Sequence, residues 1–266
     1  MDLQLKGKTA LVSGSSVGIG FAIAELLLKE GATVYINARS QQRVDEALKK
    51  LHTGKNGSAG KAEGIAADLG TADGVQQLIK VLPEVDILVN NVGMYEPKEF
   101  TQISDDDWTK IFDVNVMSGI RLSRHYLPGM LKRNWGRVIF ISSESAVNIP
   151  REMIHYGMTK TAQLAVARGL AEMTAGTNVT VNSVLPGPTA SEGVEQFVAD
   201  MAKKDNKSKE EVESDFFKNV RPSSLIKRFA TVEEVANLVA YVSSPLSAAT
   251  NGAALRVEGG CVSSII

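Results

Sequence analysis

A short apolar run, Thr9-Ala10-Leu11-Val12, breaks into a turn of glycine and serine and passes at once into a helical pattern over residues 19–30. Gly31 closes that helix, and Thr33-Val34-Tyr35-Ile36-Asn37 is a second strand. Strand, crossover helix and strand in that order constrain a chain strongly, because parallel neighbours need a long connection between them. The rhythm then recurs. A helix is expected over 41–51, a polar loop over 52–61, a weak strand over 63–67 ending at Asp68, and a stronger one at Asp86-Ile87-Leu88-Val89. Ser104 with Asp107 caps a long helix carrying Trp108, Ile111, Phe112, Val116 and Ile120. Arg137-Val138-Ile139-Phe140-Ile141 has the near-continuous apolar character of a buried parallel strand. A helix over 156–175, a strand over 179–184, a helix opened by Thr231 and Glu234, and a strand over 253–257 complete the series. The expected fold is α/β, a doubly wound parallel sheet of about seven strands with helices on both faces.

Residues 188–225 interrupt this rhythm with two amphipathic helices and no strand between them. Val194, Phe197, Val198 and Met201 form one apolar stripe; Ser208 with Glu211 caps the second helix, which ends at Phe216-Phe217. The charge run over 203–215 is their solvated face. The segment is expected to be a lid, with an oligomer contact as the alternative, within one domain spanning 1–266.

Bulk properties exclude several classes. Lys+Arg 29 against Asp+Glu 30 leaves no basic footprint for nucleic acid. The single Cys261 rules out an intrachain disulfide and a cysteine metal cluster. His52 and His125 lack metal-ligand partners at useful spacing, so no metal is expected. Residues 1–9 are polar, and no apolar run approaches membrane-spanning length. The expected compartment is the reducing cytoplasm.

Three local patterns carry chemistry. Gly14-Ser15-Ser16-Val17-Gly18-Ile19-Gly20 joins strand one to helix one, where glycines admit close approach of a pyrophosphate and the helix N-terminus supplies unpaired N–H groups. A plain tight turn is the bland reading, and position after the first strand favours the functional one. Strand two ends at Asn37-Ala38-Arg39-Ser40 with no carboxylate to hold the two ribose hydroxyls of NAD(H), while Arg39 offers a fork suited to a 2′-phosphate. NADP(H) is therefore the preferred cofactor, NAD(H) the alternative. In Tyr156-Gly157-Met158-Thr159-Lys160 a phenol and an ammonium lie one helical turn apart, and a nearby cation favours the phenolate. Tyrosine can then serve as acid in reduction and base in oxidation. Such a pair alone is commonly an amphipathic surface. Here Ser143 ends a buried strand thirteen residues earlier, and Asn115 sits inside a helix, where asparagine is disfavoured.

Taken in order, Ser13-Gly14-x-x-x-Gly18-x-Gly20, Asp68, Asn90-Asn91-Val92-Gly93, Asn115, Ser143, Tyr156-x-x-x-Lys160 and Pro186-Gly187 resemble the short-chain dehydrogenase/reductase family, in its compact, 3-oxoacyl reductase-like branch. The match covers residues 5–260. The resemblance implies a Rossmann fold and an oxidoreductase acting on a small-molecule carbonyl or alcohol. It implies that Ser143 bonds the substrate oxygen, Tyr156 exchanges its proton, Lys160 lowers the tyrosine pKa and binds the nicotinamide ribose, and Asn115 holds a water behind Lys160. Gly14, Ser15, Ser16, Gly18, Ile19 and Gly20 would hold the pyrophosphate, Asp68 and Leu69 would flank the adenine, Asn90 and Gly93 would shape the cleft, and Pro186, Gly187 and Thr189 would meet the nicotinamide end. It also implies a homo-oligomer, tetramer or dimer.

Departures are mild: Ser13 for the usual Thr, Val92 for Ala, and Glu258-Gly259-Gly260 for Asp-Gly-Gly. Glu144 is expected to be a solvent-facing loop carboxylate, with a supporting or substrate-polarity role behind Ser143 as the alternative, and Trp108 and Trp135 are expected to be packing residues. Ala146, Ile149, Met153 and the lid are expected to line an apolar pocket, suited to a 3-oxoacyl group, a keto-steroid-like ring or an aromatic ketone. The competing function is a dinucleotide-binding sensor or scaffold without turnover.

Overall fold

The computed structural model describes residues 2–53 and 60–265, together with all but the side chain of Phe197. The polar loop expected at 52–61 therefore falls, over 54–59, outside the described residues, as does the Phe197 member of the apolar stripe. Seven strands form one parallel sheet: β1 Thr9–Val12, β2 Thr33–Ala38, β3 Lys61–Ala66, β4 Ile87–Asn90, β5 Gly136–Ile141, β6 Val179–Pro186 and β7 Ala254–Val257, in the order β3-β2-β1-β4-β5-β6-β7. The order reverses between β1 and β4, and in open sheets that point opens a crevice at the carboxyl ends of the strands.

Alternation along each strand divides the core into two layers. Ala10 and Val12, Ile87 and Val89, Ile139 and Ile141 point to one face. There they pack on Ile23 and Leu27 of α1 (Gly18–Lys29), Ala47 and Leu51 of α2 (Gln41–Thr53), and Val235 and Val239 of α9 (Val232–Ser243). Leu11, Leu88, Val138, Phe140 and Val181 point to the other face, against Val75 and Leu78 of α3 (Ala72–Val81), Leu122 and Met130 of α5 (Ser118–Arg133), and Ala167 and Ala171 of α6 (Ile154–Glu172). Both faces are covered by helices, which is why the central strands are mostly apolar.

Two elements differ from expectation. Helix α3 was not anticipated: Thr71 caps it through the Gly74 N–H (3.0 Å), and a side chain at Gly74 would overlap the Asp68 carbonyl. The long helix after Ser104 is α4 (Asp105–Phe112) running through a π-helical turn, Asp113–Met117, into α5. The Ser104–Asp107 capping box is present, and Asn115 sits inside the π turn. Between β6 and α9 the chain folds α7 (Glu192–Asp205) and α8 (Lys209–Asn219), with Ser208 and Glu211 forming the expected capping box.

Candidate active site

The glycine turn after β1 is built from backbone demands. Gly14 and Gly18 adopt φ of +59° and +60°, a region that costs an L side chain. A Cβ on Gly20 would lie 2.5 Å from Asn91 Nδ2 and 2.6 Å from the Gly14 carbonyl. Ser13 Oγ donates to the Val89 carbonyl (3.2 Å) and accepts from the N–H groups of Asn91 and Val92, tying β1 to the end of β4. Ser15, in the same turn, is buried and bonded inward. Its hydroxyl donates to the Val12 carbonyl (2.6 Å) and accepts from the Asn37 N–H (3.0 Å), and its own N–H donates to the Asn37 carbonyl (2.9 Å), so both of its donors hold the fold.

Gly18, Ile19 and Gly20 form the first turn of α1, where N–H groups have no intrahelical acceptor. That terminus has no side-chain cap and no acidic residue in its first turn, whereas α4, α8 and α9 have both. An uncapped helix end facing the sheet crevice, over a floor that no side chain could occupy, fits a dinucleotide pyrophosphate. Ser16 lies half-buried beside it.

Asn37 is buried and its amide reaches three segments: Nδ2 donates to the carbonyls of Ile65 (3.0 Å) and Ala67 (3.1 Å), and Oδ1 accepts from the Gly14 N–H (3.2 Å). Arg39, two residues on, is exposed and makes no hydrogen bond or ion pair among the described residues. Asp68 is exposed with Oδ1 accepting from the Gly70 N–H (3.0 Å), and Leu69 is buried beneath it. Asn90 donates to Ser123 Oγ (3.2 Å), and its Oδ1 is buried without a partner.

On the far side of the crevice, Gly93 leaves room beside Lys160: a Cβ there would stand 3.5 Å from Lys160 Nζ and 3.7 Å from Asn115 Oδ1. Asn115 is fully buried; its amide exchanges two hydrogen bonds with the Met94 backbone (2.8 and 2.9 Å) and donates to Thr159 Oγ1 (3.0 Å). Its main-chain carbonyl accepts from Gln163 Nε2 (2.6 Å). Gln163 Oε1 in turn accepts from Lys160 Nζ (3.3 Å), whose other acceptor is the Ile141 carbonyl (3.0 Å). Gln163 thus bridges the two groups, one turn beyond Lys160 and on the same helix face. Gln163→Leu is expected to cost about 1–3 kcal/mol of stability, the usual range for stranding a buried polar partner. An unchanged urea midpoint would contradict the bridge.

Lys160 is 4% exposed, and burial pushes its ammonium down to about 8. Its Nζ lies 5.5 Å from the Tyr156 ring centre. Burial pushes the Tyr156 phenol well above its ordinary value, and the neighbouring Ser143 hydroxyl offsets only part of that rise. The opposed shifts share one cause: a dry site favours the neutral form of each group. The expected lowering of the phenol by Lys160 is not what the protein alone displays.

Ser143 Oγ donates to Glu144 Oε2 (2.6 Å). Glu144 is no solvent-facing loop carboxylate: it is 4% exposed, accepts from the Ser145 N–H (2.8 Å) and hydroxyl (3.1 Å), and pairs through Oε1 with Arg221 Nε (3.1 Å). Arg221 follows α8 and carries the distal end of the 188–225 segment onto the end of β5. Tyr95 meets the Tyr156 ring edge-on, with centres 6.2 Å apart. His155 turns the other way and packs against Trp108 (5.8 Å). At the end of β6, Pro186 leads to Gly187, where a Cβ would lie 2.6 Å from the Glu258 carbonyl, and Thr189 Oγ1 donates to the Gly187 carbonyl (2.9 Å).

The family model for short chain dehydrogenases matches residues 8–202 of this chain. The chain belongs to that family. As a short-chain dehydrogenase it is an oxidoreductase of CH–OH and C=O groups that uses a nicotinamide dinucleotide. It is 49% identical over 269 residues to the uncharacterized oxidoreductase YvaG of Bacillus subtilis, covering 100% of both chains. It is 31% identical over 264 residues to the 3-oxoacyl-[acyl-carrier-protein] reductase FabG of Aquifex aeolicus, covering 98% of this chain and 99% of that one. Among solved structures, L-sorbose reductase from Gluconobacter frateurii complexed with NADPH and L-sorbose superposes with a TM-score of 0.92 at 30% identity, covering 100% of both chains. Among its described residues this dehydrogenase has no group of three His, Cys, Asp or Glu side chains placed to hold a metal ion, and no helix long and apolar enough to cross a membrane.

Sequence reasoning passed over Gln163 and Arg221 and underrated Glu144. A glutamine at i+3 from Lys160 could have been flagged by helical spacing. The Arg221–Glu144 pair spans 77 residues and leaves no local trace.

Proposed function

We propose that this short-chain dehydrogenase is an NADP(H)-dependent reductase of small to medium carbonyl compounds, or dehydrogenase of the matching alcohols, working through Ser143, Tyr156 and Lys160. The observation that carries the reading is the convergence of these side chains, from β5 and α6, beside Gly93 and across from the uncapped α1 terminus. The nicotinamide would supply or accept the hydride when bound. Ser143 would bond the substrate oxygen, and Tyr156 Oη would give that oxygen a proton in reduction and withdraw it in oxidation. Lys160, tied to Ile141, Gln163 and through Gln163 to Asn115, would hold the ribose end and keep the phenol's surroundings positive. The amides of Gly18, Ile19 and Gly20 with Ser16 would meet the pyrophosphate. Gly14 would give it room, Asp68 and Leu69 would border the adenine, Asn90 would brace the cleft, and Pro186, Gly187 and Thr189 would border the nicotinamide.

NADP(H) is favoured over NAD(H) because Arg39 is exposed and unpaired at the end of β2, where no carboxylate competes. The relatives with NADPH in L-sorbose reductase and NADP in a Beutenbergia cavernae protein, a putative gluconate 5-dehydrogenase, support this choice. Arg39→Ala is expected to raise KM for NADPH about 10-fold or more, the range of a lost hydrogen bond to a charged group, and to leave KM for NADH within about twofold. Equal losses for both cofactors would remove the assignment. Residues 188–225 would act as the substrate lid of one domain spanning 1–266, and the enzyme would work as a homo-oligomer in a reducing cytoplasm. The test of the whole reading is NADPH consumption against a panel of ketones. A chain that binds NADPH and oxidises none of it with any carbonyl, at a rate matched by Tyr156→Phe, would be a sensor or scaffold.

A further inference from the structure

Beside Ser143 the loop and the residue after α8 place a nearly buried ion pair, Glu144 and Arg221, with side chains 6% and 12% exposed, next to the apolar Ala146, Ile149 and Met153 expected to line the substrate. Resting on the oxidoreductase reading above, we propose that Glu144 recognises a hydroxyl on the carbon next to the reacting carbonyl, so that the substrates are α-hydroxy carbonyl compounds and the products vicinal diols.

The argument starts from the single proton of the Ser143 hydroxyl. A serine donates one hydrogen bond, and here it goes to Glu144 Oε2 at 2.6 Å. To bond a substrate carbonyl oxygen, Ser143 must turn that proton away from Glu144. Oε2 then keeps Ser145 N and Ser145 Oγ and loses its third donor, while Oε1 stays locked on Arg221 Nε. A buried carboxylate that gives up a donor needs a replacement, and an alkyl group placed there offers none. A hydroxyl one carbon from the carbonyl does. The oxygens of an O–C–C–O unit lie about one hydrogen-bond length apart, as Ser143 Oγ and Glu144 Oε2 do, so both substrate oxygens can be served side by side. Arg221 holds the carboxylate in that orientation and cannot itself accept. The reaction balances as an ordinary reduction: the C=O π bond breaks, a hydride from NADPH forms the C–H bond, Tyr156 supplies the O–H proton and recovers it from solvent, and NADP⁺ is released. The neighbouring hydroxyl is unchanged.

The test compares hydroxyacetone with butanone, in which a methyl replaces the hydroxyl, for the full-length protein and for Glu144→Gln. The ratio of kcat/KM values is read, and the quotient of the two proteins' ratios cancels the greater intrinsic reactivity of hydroxyacetone. The preference for hydroxyacetone is expected to fall about 10-fold or more in the variant, the range for a hydrogen bond to a charged acceptor. A second readout needs no turnover: ligand-observed NMR titration of the same proteins with propane-1,2-diol and propane-1,3-diol. The parent is expected to bind the 1,2 isomer more tightly, and Glu144→Gln to bind the two alike. An unchanged ratio in the variant, or a parent that does not distinguish the diols, would overturn the proposal. Failure to turn over any carbonyl would strike the oxidoreductase reading instead, and the diol titration would still decide Glu144.

Discussion

Tyr156→Phe is expected to lower kcat for carbonyl reduction by about 10³-fold, within the range assigned to a positioned general acid, with KM for NADPH within about twofold of the parent. The substitution removes one hydroxyl and keeps the ring, so the edge-on contact with Tyr95 and the packing of α6 survive. What is lost is the phenol hydroxyl beside Ser143. The loss should fall on kcat, because a proton delivered in the transition state is not an interaction of the bound ground state. A rate within tenfold of the parent, followed by NADPH absorbance at saturating ketone, would take the proton transfer away from Tyr156.

Lys160→Met is expected to reduce turnover by a comparable factor and to leave a separate mark on stability. Lys160 is buried without a carboxylate partner among the described residues, and burial pulls its pKa from 10.5 to about 8 in the folded protein. The unfolded chain therefore binds more protons between those two values, and linkage makes stability rise with pH across that window. Below about pH 8 the folded state carries the full penalty of a charged, desolvated ammonium; by pH 10.5 the penalty is gone. At roughly 1.4 kcal/mol per pKa unit the window spans about 3 kcal/mol. Methionine cannot titrate, so the variant's stability relative to the parent should fall by about that amount between pH 7 and pH 10.5. Urea unfolding of the cofactor-free proteins at pH 7, 9 and 10.5 checks this. Parallel pH curves for the two proteins would mean that burial does not tax this lysine.

Much of this architecture was open to a reader of the sequence, for a physical reason. The central strands are buried on both faces, so each announces itself as an apolar run, and helix starts that carry Ser or Thr with an acidic residue three positions on, at Ser104, Ser208 and Thr231, are real capping boxes. The positions of Ser143, Tyr156 and Lys160 follow because strand ends and helical spacing are local properties. Helix α3 escaped because its first turn contains a glycine, a poor helix former that is there to avoid the Asp68 carbonyl. The π turn at Asp113–Met117 escaped because one extra residue per turn does not disturb an apolar pattern enough to be seen. Glu144 was misjudged for a different reason. A carboxylate in a loop is ordinarily solvated, and only the arrival of Arg221 from a distant segment, with Ser143 and Ser145 as donors, makes its burial tolerable.

The most direct measurement is the pH dependence of the chemical step in both directions on one substrate pair, by single-turnover absorbance of the nicotinamide. If Tyr156 trades the proton, the oxidation rate rises with pH as the phenol ionises and the reduction rate falls over the same interval, with one apparent pKa for both, and Tyr156→Phe flattens both curves. Forward and reverse curves that turn at different pH, or curves that Tyr156→Phe leaves unaltered, would contradict it.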